Sequence, residues 1–129
     1  MINAKVYDYV NVLDKAADAA WLRNKAIGNN IANIDTPGYK RQDVDFEGAL
    51  RQALGSVRYQ TVDAKVAGID LSSLNVSTYT DAADFSYRLD ENNVDIDTEA
   101  AELASNQLRY EALMKSMTHE FTLLQSAMK

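Results

Sequence analysis

Near both ends of the chain, apolar residues recur at alternating steps of four and three residues. The amino-terminal series has one polar member and comprises Val6, Val10, Leu13, Ala17, Ala20, Asn24, Ile27, Ile31 and Ile34. The carboxyl-terminal series also has one polar member and comprises Ala100, Leu103, Gln107, Tyr110, Met114, Met117, Phe121, Leu124 and Met128. A spacing of about 3.5 residues keeps one stripe of a helix facing a partner helix, which is typical of coiled coils. The two series therefore predict two long helices that pair through these seams.

The expected helix ends rest on capping residues. The first helix should run from about Asn3, as N-cap, to Ile34, and the second from Asp97, as N-cap, almost to the last residue. Poor helix formers weaken the end of the first helix, namely Gly28, Asn29, Asn30 and Asn33. Either this end simply frays, or its carboxamides meet backbone groups of adjacent helices and fix the register.

The segment between the helices begins with a clear turn. Residues 36–39, Thr-Pro-Gly-Tyr, place Pro and Gly where a type II turn needs them. Lys40 and Arg41 follow, interpreted as solvated charges, and then a short helix is expected from Asp43, as N-cap, to Gly55. Residues 57–62 and 84–89 are rich in β-branched and aromatic side chains and are candidate strands.

Together these elements predict a mainly α chain. Its long terminal helices form a coiled-coil-like core, with a small β or irregular region in the middle. We expect three parts: residues 1–36 with the first helix, 37–95 as the middle region, and 96–129 with the last helix.

Several large apolar side chains fall outside the seams, namely Val12, Trp21, Leu22, Leu108 and Leu123. A bare two-helix hairpin would leave them in water, which forfeits roughly 1.5 to 3 kcal/mol for each. Either the middle region folds over them, or neighbouring copies of the chain cover them in an assembly. We favour the second alternative and expect these five residues at contacts between subunits.

The composition excludes several classes of function. A formal net charge of −6 argues against a nucleic-acid binder. The chain has no cysteine, which removes thiolate chemistry and sulfur-bound metals. The acids around Asp95 lack the spacing of a calcium loop, and His119 has no catalytic partner in the sequence. We therefore expect no enzyme, no cofactor, no metal site and no small-molecule substrate.

Residues 29–41, Asn-Asn-Ile-Ala-Asn-Ile-Asp-Thr-Pro-Gly-Tyr-Lys-Arg, resemble the signature that closes the first helix of bacterial flagellar rod and hook axial proteins. The resemblance extends to residues 42–47, 92–97 and 106–110, and it is strongest for the proximal rod subunit of the basal body. It covers residues 1–55 and 90–129 and implies that the terminal helices form an axial core. The signature residues implied to be architectural are Asn30, Ala32, Asn33, Thr36, Pro37, Gly38 and Tyr39.

The resemblance also implies a location and partners. The chain would belong to the periplasmic rod, the drive shaft of the flagellum, and would be exported by the flagellar type III apparatus without a cleaved signal peptide. Its partners would be copies of itself, other rod subunits, a small adaptor protein at the rod base, and the membrane ring or export gate. The alternative is a cytoplasmic coiled-coil adaptor or export chaperone.

Overall fold

The structure is a computed structural model that describes residues 5–55, 61–81 and 89–129, with side chains from Tyr7 onward in the first range. The described elements, in chain order, are α1 (Lys5–Ala32), β1 (Gln42–Val44), α2 (Phe46–Gly55), α3 (Val62–Ala67), a 3-10 turn (Leu71–Leu74), β2 (Thr78–Thr80) and α4 (Ile96–Ala127). The prediction of a mainly α chain with two long terminal helices and a small β region is confirmed. The division into 1–36, 37–95 and 96–129 stays a prediction.

Helices α1 and α4 form an antiparallel hairpin. Asn30, near the end of α1, contacts Glu99 at the start of α4, and Ala20 contacts Asn106 further along. With 28 and 32 residues, the helices are about 42 and 48 Å long at roughly 1.5 Å per residue. No helix among the described residues combines the length and apolar content that a membrane crossing requires.

The helix ends differ from the sequence expectations by a few residues. Helix α4 is capped by Asp95 and not by Asp97, because the Asp95 carboxylate accepts from the Asp97 backbone N–H at 3.0 Å and from the Thr98 hydroxyl at 3.1 Å. Helix α1 ends at Ala32, two residues before the expected end, and passes into the turn. The proposed N-cap Asn3 lies outside the described residues.

The seam of α4 is rotated relative to the predicted one. Its least exposed positions recur at steps of four and three as Glu99, Leu103, Asn106, Tyr110, Leu113, Met117, Glu120 and Leu124, of which Tyr110 is the most exposed at 37%. Met114 and Phe121 are 42% and 49% exposed and flank the seam instead of filling it. The predicted seam therefore needs correction at four positions, because Glu99, Asn106, Leu113 and Glu120 are less exposed than the predicted residues that follow them, Ala100, Gln107, Met114 and Phe121.

The seam of α1 follows the predicted positions more closely. Val10, Ala17, Ala20 and Ile27 are buried, and Leu13, Ile31 and Ile34 are half-buried. Asn24 is exposed, and the Val6 side chain lies outside the described residues.

The middle region packs on one side of the hairpin. Strands β1 and β2 pair antiparallel, with Gln42 opposite Thr80 and Val44 opposite Thr78. Strands were expected at 57–62 and 84–89, and most of both ranges lies outside the described residues, which exclude 56–60 and 82–88. Where the first range is described the prediction is wrong, since Val62 begins α3. Helix α2 begins after Asp45, which accepts from the Gly48 N–H at 2.9 Å, whereas Asp43 lies in β1.

The apolar core joins α1 to this middle region. It is built around Ala19, Val44, Phe46, Ala53 and Leu74, and Val12 and Leu22 pack against it. For Val12 and Leu22 the middle region therefore provides part of the cover, and their assignment to contacts between subunits stays a prediction. Trp21, Leu108 and Leu123 remain 59%, 69% and 51% exposed.

Candidate functional site

Five polar side chains connect the end of α1 to the start of α4, and we call them the helix-end latch: Asn30, Tyr39, Arg41, Asn92 and Glu99. They come from α1, from the turn that follows it, from the residue before β1, from the loop before α4 and from α4 itself. Three of the five are buried. The latch therefore joins segments that are far apart in the sequence.

Asn30 holds the chain that leaves α1 back against the helix. It is fully buried; its Nδ2 donates to the Gln42 carbonyl and its Oδ1 accepts from the Gln42 N–H, both at 2.8 Å. The Tyr39 hydroxyl donates to Oδ1 at 3.1 Å, and Nδ2 also donates to Glu99 at 3.1 Å. Burial, with the nearby Glu99 charge, raises the pKa of Tyr39, so this hydroxyl stays a donor. The Asn30 carboxamide fixes register, but through β1 and not through the backbone of a neighbouring helix.

The buried carboxylate of Glu99 is paired with Arg41. Arg41 Nε donates to Glu99 Oε1 at 2.8 Å, and its terminal nitrogens lie 3.4 Å from Asp43 and from Asp81. Burial of the guanidinium lowers its pKa, but the hydrogen bond and charge of Glu99, with the two aspartates, raise the pKa of Arg41 above its ordinary value. A carboxylate with no solvent exposure needs such partners, because an unpaired buried charge is strongly destabilising.

Asn92 holds the turn that follows α1. Its Nδ2 lies 2.9, 3.0 and 2.9 Å from the carbonyl oxygens of Asn33, Ile34 and Thr36, and its Oδ1 accepts from the Val94 N–H at 2.8 Å. All three carbonyls lie beyond the last residue of α1. The buried carboxamide from the loop before α4 therefore fixes this turn to the start of α4.

The turn at residues 36–39 runs beside the loop before α4. Gly38 has φ of +74°, and its N–H donates to the Asp90 carbonyl at 2.6 Å. The Tyr39 carbonyl accepts from the Asn93 N–H at 3.3 Å, and the Asn93 side chain accepts from the Arg41 N–H at 2.7 Å. Glycine adopts positive φ without the steric penalty of a Cβ, which explains its place in this turn.

The signature residues take different positions. Asn30 and Tyr39 point into the latch, while Asn33 and Thr36 bond to each other at 3.1 Å near the surface. Ala32 and Pro37 are exposed and make no side-chain contribution to the latch. Their assigned architectural roles stay a prediction.

Sequence reasoning missed three members of the latch, since Asn92 was assigned no role beyond lying in a stretch that resembles the family. Arg41 was interpreted as a solvated charge and is instead paired with a buried acid. Glu99 was interpreted as a first-turn acid beside the helix dipole and is fully buried. A signal for Glu99 exists in the sequence, because it lies seven residues before Asn106 and therefore on the same stripe of α4.

A second charged cluster ties α2 to both long helices. Glu47 of α2 forms ion pairs with Arg23 of α1, at 2.7 Å, and with Arg109 of α4. The hydrogen bond from Arg23, together with the nearby positive charges, lowers the pKa of Glu47 to about 2 against an opposing effect of burial. The α2 side of the hairpin is thus fixed by charge as well as by the apolar core.

These arrangements position segments of chain and carry no sign of a reaction. In the described part of the chain, no group of three His, Cys, Asp or Glu side chains could hold a metal ion. His119 is exposed on α4. The polar groups of the latch are hydrogen-bonded to one another and to nearby backbone groups, as expected of a rigid connection between chain segments.

Comparisons with known proteins agree with this architecture. A sequence profile described as "Flagella basal body rod protein" matches residues 11–40, which span most of α1 and the following turn. The chain is 40% identical to the flagellar basal body rod protein FlgB of Bacillus subtilis (strain 168), with 90% of this chain and 89% of that protein covered. Identity to FlgB of Borrelia hermsii is 34%, with 87% and 89% covered, and to FlgB of Escherichia coli (strain K12) 30%, with 74% and 75% covered.

Such identity over most of both chains shows the family. The alternative of a cytoplasmic adaptor or export chaperone has no support in these comparisons. The chain belongs to the FlgB-type family of flagellar basal body rod proteins and is a structural component of the rod, not an enzyme.

Proposed function

We propose that the chain is the proximal rod subunit, and that copies pack through their α1–α4 hairpins into the wall of the periplasmic drive shaft that transmits torque to the hook and filament. Its partners are further copies, the other rod subunits, the small adaptor protein at the rod base, and the membrane ring or export gate. It reaches this place through the flagellar export apparatus without a cleaved signal peptide. Family membership supports the basal body as its location.

The observation that carries the proposal is the large apolar surface left on α4. Leu108, Phe121 and Leu123 are 69%, 49% and 51% exposed in the single chain. At 100° per residue, Leu108 lies on the side of α4 away from α1, whereas Phe121 and Leu123 lie on the two flanks of the seam. The described part of the middle region packs on α1 and on one flank of the hairpin and leaves the outer side of α4 uncovered. Burying such a leucine contributes roughly 1.5 to 3 kcal/mol.

The helix-end latch suits this role mechanically. A rod subunit under torque must keep α1 and α4 at a fixed angle, or the load would be absorbed by bending within the subunit. Asn92 and Glu99 reach across from the loop and from α4 to the end of α1 and its following segment. Because buried hydrogen-bonded networks rigidify the structure around them, the hairpin acts as one body.

The proposal is tested by replacing Leu108 in cells that depend on this chain for swimming. Leu108→Glu places a charge where a neighbouring subunit should pack, so we expect stalled rods and loss of swimming. Leu108→Met keeps an apolar side chain of similar volume and is the matched control, for which swimming should persist. Circular dichroism of both purified variants should match the parent, because Leu108 lies on the outer surface of the single chain.

A charged substitution at a second residue of α4 distinguishes a defect in rod assembly from a local effect of the Leu108 substitution. Leu123→Glu should give the same loss as Leu108→Glu, since both leucines of α4 are more than half exposed in the single chain. If both charged variants build normal rods and swim, α4 is not covered in the assembly and the packing scheme is wrong.

A further inference from the structure

A groove runs between α1 and α4 on the flank opposite α2. It has a volume of about 450 Å³ and is lined by Trp21, Asn24, Asn106, Gln107, Tyr110 and Glu111, together with the backbone around Ala20. Arg109, which contacts α2 through Glu47, lies about 200° around the helix from both Gln107 and Glu111 at 100° per residue. The groove and α2 therefore face opposite directions.

The floor of the groove contains an unsatisfied acceptor. Asn106 is 3% exposed; its Nδ2 donates to the Ala20 carbonyl at 2.8 Å, and its Oδ1 has no hydrogen-bond partner in the described structure. Leaving a buried acceptor unpaired is unfavourable, so native structures rarely tolerate it. Asn106 lines the groove, so this oxygen lies close beneath the groove surface, although it is shielded from solvent in the single chain.

The rest of the lining favours a cation as that donor. Glu111 is exposed on the rim and has no ion pair among the described residues. Lys25 Nζ already lies 5.8 Å from the Trp21 ring centroid, so the Tyr110 ring, which lines the same groove, is the aromatic surface left for stacking. A guanidinium matches this set, because it is planar, stacks on aromatic rings and carries several donors for carboxylate and amide oxygens.

The described part of the chain offers such a group on its other side. Of the arginines in the described ranges, Arg23, Arg41 and Arg109 are in ion pairs, whereas Arg51 is exposed and unpaired. Arg51 projects from α2 on the side away from buried Ala53, so it cannot reach the groove of its own molecule.

We infer that Arg51 of one copy inserts into the Trp21–Tyr110 groove of the next copy, pairing with Glu111 and donating toward Asn106 Oδ1. The contact joins two different faces of the same chain. A heterologous contact of this kind generates an open polymer when the rotation between neighbouring copies does not close a ring. The inference rests on the proposed rod assembly and adds the residues of one contact to it.

Cross-linking tests the contact directly, because the chain has no cysteine of its own. Gln107→Cys marks the groove and Gly55→Cys marks α2 one turn beyond Arg51, where an added Cβ meets no atom within 4 Å. In purified basal bodies, a short bis-maleimide should join copies of the double variant into a ladder of dimers, trimers and longer products. Each single-cysteine variant should stay uncrosslinked.

Charge reversal in the same background tests the chemistry. Arg51→Glu should lower the yield of the ladder by about ten-fold or more, as expected for breaking a charge pair at an interface. Adding Glu111→Arg should restore it. Lys129→Glu, which reverses an exposed cation beyond the end of α4 and far along the helix axis from Glu111, is the matched control and should leave the yield unchanged.

The outcomes separate this inference from the rod assembly itself. Dimers from Gln107→Cys alone would mean that two grooves face each other, and the inference would be overturned. Absence of the ladder while cysteines at Leu108 and Leu123 still join copies would overturn the Arg51 contact and leave the packing of α4 in place. If neither pair cross-links, both ideas fail.

Discussion

Replacing Glu99 with glutamine tests the helix-end latch with almost no change in volume. Both oxygens of the buried carboxylate accept hydrogen bonds, Oε1 from Arg41 at 2.8 Å and Oε2 from Asn30 at 3.1 Å. Glutamine supplies only one acceptor oxygen, so its amide N–H₂ must face either the Arg41 guanidinium or the Asn30 Nδ2 group. Both of these groups are donors and cannot accept from it. The buried guanidinium also loses its closest counter-charge.

The expected loss follows from these contacts. Removing one partner of a buried ion pair costs about 3–5 kcal/mol, because the other charge stays buried. Arg41 keeps Asp43 and Asp81 at 3.4 Å, and its side chain is 17% exposed, which softens the penalty. We therefore expect Glu99→Gln to lower the free energy of unfolding by about 3 kcal/mol, a large part of the ~5–15 kcal/mol of a small domain.

The assay is urea unfolding of the purified chain followed by circular dichroism at neutral pH. Glu102→Gln makes the same chemical change at an exposed site one turn along α4 and should shift the free energy of unfolding by no more than about 0.5 kcal/mol. A double-mutant cycle with Arg41→Gln should return a favourable coupling between Arg41 and Glu99. Equal stability of Glu99→Gln and Glu102→Gln would refute the reasoning.

Three further predictions concern the turn and the charged clusters. Asn92→Ala removes the donor to three carbonyls of the turn and should cost about 2 kcal/mol in urea unfolding. Asn92→Asp turns a carboxylate toward those oxygens and should cost more; the reverse order would contradict the role of Asn92 as a donor to the turn. Gly38→Ala forces a Cβ into φ of +74° and should cost about 1 kcal/mol by the same measurement, although no atom obstructs the added methyl group. Because the pKa of Glu47 is lowered from 4.5 to about 2, its ion pair stabilises the fold fully above pH 4.5 and is lost as the pH falls toward 2. Glu47 is half exposed, so solvent screening limits the effect to about 1 kcal/mol, and Glu47→Gln should remove that much of the acid dependence of unfolding.

Local chemistry determined the long helices and the turn between them. The 3.5-residue repeat is a property of each segment alone, so α1 and α4 could be placed to within a few residues before any packing was known. The Thr-Pro-Gly-Tyr turn could be placed for the same reason, since Gly38 supplies a positive φ that most residues avoid.

Only the tertiary structure decided which stripe of α4 faces α1. An apolar pattern cannot choose between Leu113 and Met114, because both are apolar and adjacent. The choice is made by Glu99 and Asn106, polar residues that occupy seam positions because α1 and the segment after it offer them partners: Asn30 and Arg41 for Glu99, and the Ala20 carbonyl for Asn106. A sequence contains the two members of such a pair but not the distance between them.

The strands and packing of the middle region could not be predicted from local sequence patterns either. Strands β1 and β2 are three residues each and pair across more than thirty residues of chain, so neither has a pattern long enough to recognise. The cover of Val12 and Leu22 by this region, and the exposure left at Trp21, Leu108 and Leu123, depend on where the chain returns in space. Sequence therefore determined the elements with a period of their own, and packing determined every feature that needs a distant partner.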